Sequence, residues 1–110
     1  MIIYQLTLGS HLQAESFEAF ARQRYLPALS RAATRVGQLR LATLLRRSRE
    51  HEGDPLDLDR QFLLLVEWSG VPLEQLPLVD DPVVQRLLDV FAPQVVRLGG
   101  FRPVETVAQP

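Results

Sequence analysis

Few side chains in this sequence combine the type and the spacing that chemistry requires. Glu67 stands beside Trp68 in the run QFLLLVEWS. A carboxylate in such apolar surroundings has a raised pKa and can serve as a general base. The indole offers a flat surface on which a ligand can stack. Both residues also have structural uses. Trp68 can fill a core or an interface, and Glu67 at a strand mouth can pair with Arg40 or Arg102. Gln5 and Thr7 alternate with Ile3 and share a strand face with it. They orient a ligand if that face lines a cavity, and otherwise are satisfied polar groups at a seam between subunits. Tyr4 and Tyr25 carry hydroxyls able to donate to an oxyanion or a carbonyl. Tyr25 also falls on an apolar helical stripe, which points to the core.

Other chemistries find less support. His11 and His51 are 40 positions apart with no partner at ligand spacing, so no metal site is expected. His51 lies among Glu50, Glu52 and Asp54 and reads as a surface residue. Arg46, Arg47 and Arg49 end a strand-like segment. They could hold an anion, or pair with the acidic loop that follows or with a partner chain. The sequence contains no cysteine, which removes disulfides, thiolate metal sites and cysteine nucleophiles. It has no GxGxxG, P-loop, HExxH, GxSxG or CxxC pattern. No cofactor is predicted. A net charge of −1 gives no basic excess for nucleic acid. No apolar run approaches the roughly 20 residues of a membrane span. The N-terminal MIIYQLTL lacks the basic region and cleavage site of a signal peptide. A cytoplasmic location is the expectation.

The elements that must position these residues follow from periodicity. Residues 1–8 hold the β-formers Ile2, Ile3, Tyr4 and Thr7 and predict a first strand. Ser10 with Gln13 fits a capping box. From 13 to 35, Phe17, Phe20, Ala21, Tyr25, Ala28, Leu29 and Ala32 recur at spacings of three and four, the pattern of an amphipathic helix. Pro27 lies inside that pattern and predicts a kink near 23–27 rather than an end. A second strand is predicted over about 38–48, a charged loop over 49–59, and a third strand over 60–68. The third is nearly continuous in apolar residues, as a central strand is. Pro72 and Pro77 punctuate the stretch that follows. Asp81 then Pro82 marks a helix start. The spacing of Val83, Val84, Leu87, Leu88, Phe91 and Val95 carries the apolar face of that helix toward Gly99 and Gly100, with Pro93 as an interruption. A fourth strand is predicted at 101–107, confined to an edge by Pro103.

The order β-α-β-β-α-β over residues 1–110 predicts one α+β domain: a ferredoxin-like four-stranded antiparallel sheet with two helices on one face. Strand 3 has apolar residues on both faces, and the helices cover only one. Self-association, as a homodimer, is the economical cover for the other.

Three segments carry a resemblance: LTL at 6–8 leading into the first helix, FEAF…YLPAL at 17–29, and LLLVEWS at 63–69. Through them the chain resembles the dimeric α/β-barrel superfamily, and within it the antibiotic-biosynthesis-monooxygenase-like branch. The resemblance implies a dimeric barrel with Trp68 at its lumen and with Gln5, Thr7, Glu67 and Arg40 as further lumen residues. It implies binding of a small organic ligand there, or cofactor-independent oxidation or isomerisation of one. The alternative is a non-enzymatic dimeric module for effector sensing or assembly. Two departures narrow the choice. The haem-degrading branch uses a histidine on the second helix, and this chain has none after His51. Quinol-forming monooxygenases of this type use an asparagine, and the sequence contains none.

Overall fold

The computed structural model describes residues 1–36, 38–69, 81–102 and 104–108, with side chains other than those at 32–36, 38–40, 57, 68 and 69. The chain opens with β1 (Ile2–Thr7). A 3-10 turn follows at His11–Gln13, where the Ser10 hydroxyl accepts from the Leu12 N–H. One helical run then continues as α1 (Ala14–Phe20), a π-helical turn (Ala21–Tyr25) and α2 (Leu26–Val36). The π turn explains how the helix survives Pro27. A proline has no N–H to give the carbonyl four residues back, and its ring crowds that carbonyl. Just ahead of it the Leu26 N–H reaches the carbonyl of Ala21, five residues back. The widened turn leaves room for the ring, and the helix resumes. The expected irregularity at 23–27 is this turn, displaced about half a turn toward the N-terminus.

β2 (Gln38–Arg46) and β3 (Gln61–Ser69) follow, joined by the charged loop and a 3-10 turn at Leu56–Arg60. The Asp54 carboxylate organises the loop by accepting from the N–H groups of Glu50 and His51, both at 2.9 Å. α3 (Pro82–Phe91) starts as its residues dictate: Asp81 accepts from the N–H groups of Val83 and Val84, and Pro82 takes the first helical position, where no N–H is needed.

The last strand corrects the sequence expectation. β4 spans Gln94–Gly100, not 101–107, and α3 stops at Phe91. Val95 matched the helical spacing, but Pro93 decides. Ala92 precedes it and takes φ −120 and ψ 80, outside the helical region a pre-proline residue avoids. The segment then reads as the strand QVVRLGG. Gly99 and Gly100 lie inside this strand rather than beyond a helix. The β1–β4 register shifts between Ile3, opposite Gly99, and Tyr4, opposite Arg97, so Leu98 is an extra residue. Gly99 takes φ 133 at this bulge, a conformation that a side chain would strain. The described residues of 101–108 form no strand, and Pro103, Pro72 and Pro77 lie outside the described residues.

The four strands form one antiparallel sheet in the order β2-β3-β1-β4, with β3 and β1 central. An α+β chain of this order is compatible with a ferredoxin-like fold. One sheet face carries the core. Tyr4, Leu6, Phe62, Leu64 and Val66 cluster with Phe17, Phe20, Leu29, Val84 and Leu88. Phe17 ties the layers together, with its ring 4.8 Å from Phe62 on β3 and 5.7 Å from Phe91 on α3. Both helical arms therefore lie on the same side of the sheet.

Candidate functional site

Alternation along each strand sends the remaining side chains to the opposite face. There the register builds cross-strand rows. Gln94, Thr7, Gln61 and Arg47 run across the sheet at one end; the Arg47 N–H bonds the Gln61 carbonyl, which aligns it with the row. Val96, Gln5, Leu63 and Leu45 form the next row. Gly99, Ile3, Leu65 and Thr43 form the third, and Glu67 lies opposite Leu41 beyond it. The middle of this face is aliphatic and its ends are polar. Ile3, Leu63 and Leu65 are only half-buried, and Leu41, Leu45 and Val96 are exposed. None of the described helices covers them.

The lumen residues expected from sequence are thus divided. Gln5 and Thr7 share the open face, as alternation requires, with Gln5 nearer the aliphatic centre. Glu67 is on the same face but does not converge with them. It lies six residues along β3 from the row of Thr7, about 20 Å at strand rise. Trp68 lies opposite Leu39, and Arg40 sits at the register irregularity between Leu39 and Leu41. The side chains of Trp68 and Arg40, and so their expected lumen roles and an Arg40–Glu67 pair, lie outside the described residues.

The two adjacent arginines at the end of β2 part ways. Arg46 belongs to the helix-covered face and is saturated with carboxylates: Glu15 at 2.7 Å, Glu18 at 3.1 Å and Asp59 at 3.7 Å. The hydrogen bond it donates to Glu15 leads the effects that hold its guanidinium charged. A depression of about 230 Å³ beside it is lined by Leu44 and Phe62 and by the already paired Arg46, Glu18 and Arg22. Arg47 turns to the open face, where its Nη1 donates to the Gln61 side-chain oxygen at 2.7 Å. The sequence expectation that the arginine cluster pairs with the acidic loop holds for Arg46 through Asp59; the larger share comes from α1.

A second set of polar groups lies on the helix side of the sheet, with the exposed Arg97 at its edge. Tyr4 and Arg97 are cross-strand partners, and the Arg97 guanidinium bonds the Tyr4 phenol. Burial raises the Tyr4 pKa, and Arg97 partly offsets this. The Tyr25 hydroxyl is buried with no hydrogen-bond partner among the described residues. Burial first, and then the nearby Tyr4, push its pKa well above the ordinary phenol value. Sequence reasoning named both tyrosines but missed Arg97, because it carried the helix past Pro93. The alternation in QVVRL was the available signal.

Comparison with family models, with curated proteins and with solved structures finds no match for this chain.

Proposed function

We propose that the chain works as a homodimeric α/β barrel of two ferredoxin-like protomers that meet through their open sheet faces, and that it binds a small organic molecule at the resulting lumen. An open aliphatic sheet face carries this proposal. Ile3, Leu63 and Leu65, with Leu45 and Val96 beside them, form a patch that no described helix shields. Burying each such side chain gains roughly 1.5–3 kcal/mol, and a contiguous patch of this kind marks an interaction surface. The arrangement is the one implied by the resemblance to the antibiotic-biosynthesis-monooxygenase-like branch. Gln5 and Thr7 are the polar groups that would orient the ligand. Among the described side chains of this face, Gln5 and Thr7 are suited to orienting a ligand by hydrogen bonds, which supports binding for sensing or carriage. Native mass spectrometry tests this directly. The expected species is twice 12.5 kDa, with additional mass from a co-purified or added small molecule. A species of 12.5 kDa alone at micromolar concentration rejects the dimer. A dimer that retains no small molecule from a chemically diverse panel is an assembly module instead.

One observation favours a second reading, cofactor-free oxidation or isomerisation on the helix side of the sheet. The Tyr25 hydroxyl is buried near Tyr4 with no hydrogen-bond partner among the described residues, and such a group can donate to a carbonyl or oxyanion. A turnover assay on any ligand found above, compared between the wild type and Tyr25→Phe, decides it: equal rates remove this reading.

A further inference from the structure

The open face carries two charges among the described side chains, and they have opposite sign and stand at opposite ends. Arg47 closes the row of Gln61, Thr7 and Gln94, and Glu67 lies beyond the last aliphatic row. Neither makes an ion pair with another described residue of its own chain. Arg47 is nonetheless held in place, because both its N–H and its Nη1 bond Gln61, at 3.0 and 2.7 Å. The contrast is with Arg46, one residue earlier, which binds three carboxylates on the other side of the sheet.

We propose that a second copy docks on the open face with the two-fold axis perpendicular to the strands, so that Arg47 of each protomer meets the partner's Glu67. The inference rests on the dimer proposed above and specifies its geometry. Face-to-face packing of identical sheets places the two-fold axis in the plane between them. An axis parallel to the strands keeps each end of the face over the same end of its copy. Glu67 would then approach the partner's Glu67, and Arg47 would face only neutral amides and a hydroxyl. An axis perpendicular to the strands reverses the ends. The row of Leu63 then lies over the row of the partner's Leu65, which joins the aliphatic centres. Arg47 comes over the partner's Glu67, one strand aside. The offset is about 5 Å, the spacing of adjacent strands, and the arginine side chain spans it. Symmetry makes the contact twice.

This geometry also completes the polar end of the face. The partner's Glu67 arrives over Gln61 and beside Thr7, so a carboxylate from one chain joins an amide and a hydroxyl of the other. Each of the two lumen mouths is then built from both chains.

Charge reversal tests the arrangement. Arg47→Glu and Glu67→Arg each place like charges together twice per dimer, and each is expected to raise the dimer Kd about tenfold or more. The double variant Arg47→Glu/Glu67→Arg restores the attraction and is expected to return Kd to within about threefold of the wild type. The neutral variants Arg47→Gln and Glu67→Gln should weaken the dimer less than the reversals. Sedimentation equilibrium over a dilution series reads Kd, and far-UV circular dichroism checks that each variant is folded. A folded wild-type monomer would overturn the dimer itself. A wild-type dimer in which the two reversals add, or in which neither has an effect, would overturn this orientation and leave the dimer standing.

Discussion

Leu63 and Leu64 are adjacent in β3 and chemically identical, yet the fold assigns them opposite fates. Leu64 is fully buried in the cluster under the helices. Leu63 lies on the open face, between Gln5 and Leu45. Truncating a core leucine costs about 2–5 kcal/mol, and an unpaired buried carboxylate adds several more. The sum for Leu64→Asp rivals a typical total stability of about 5–15 kcal/mol. That variant is expected to be unfolded, with lost near-UV dichroism and no cooperative melt. Leu63→Asp puts its carboxylate where the protomer is open to water, so the protomer should stay folded. The dimer should not. Leu63 is already half-buried in the protomer, so each copy loses about half of the roughly 1.5–3 kcal/mol of a full leucine burial; the symmetric interface counts it twice, and about 1.4 kcal/mol corresponds to a factor of ten. Dimer Kd should therefore rise by about 10 to 10². Light-scattering mass across a dilution series, with circular dichroism on the same samples, reads both quantities. If Leu63→Asp unfolds the chain as Leu64→Asp does, the open face is not open. If it stays dimeric at the same concentrations as the wild type, the dimer uses another surface.

Three further outcomes are expected. Tyr25→Phe removes a buried hydroxyl that has no partner among the described residues, so it should leave the melting temperature unchanged or raise it; a loss of more than about 1 kcal/mol, the usual net worth of a hydrogen bond, would reveal a partner for that group. Folded-state pKa values of Tyr4 and Tyr25 lie above the ordinary phenol value of 10.0, so the unfolded chain releases these protons first. Stability should then be insensitive to tyrosine titration at neutral pH and fall above pH 10, by up to about 1.4 kcal/mol per pH unit for each phenol; denaturant titrations at rising pH check the slope, and its persistence in a Tyr25→Phe/Tyr4→Phe variant would refute the assignment. Asp81→Ala strips the cap from Val83 and Val84 at the start of α3 and should cost about 1 kcal/mol by urea unfolding, whereas Asp81→Asn should retain most of it.

Much of this architecture is legible in the residues because it rests on local rules. Alternation placed Gln5 and Thr7 on one face of β1. The apolar run LLLV declared β3 central, as the pairing with both β1 and β2 bears out. Asp81–Pro82 marked a helix start that depends on nothing beyond the next three residues. The persistence of spacing beyond Pro27 announced a helix that passes the proline, though not the π turn that makes this possible, since that turn is a compromise between a missing donor and the core packing of Phe20 just before it and Tyr25 at its end. The end of the chain misled for a physical reason: Phe91 and Val95 have helical spacing, but the free edge of β1 gives the segment after Pro93 a row of backbone partners, and long-range hydrogen bonding outweighs a weak local period. Electrostatics was the least legible part. Arg46 and Arg47 are indistinguishable as letters, and only strand parity and the position of α1 gave one of them three carboxylates and left the other facing outward beside Gln61. Likewise no sequence pattern joins Tyr4 to Tyr25 or to Arg97, because each belongs to a different element: Tyr25 reaches Tyr4 when the helical run packs on the sheet, and Arg97 reaches it when β4 pairs with β1.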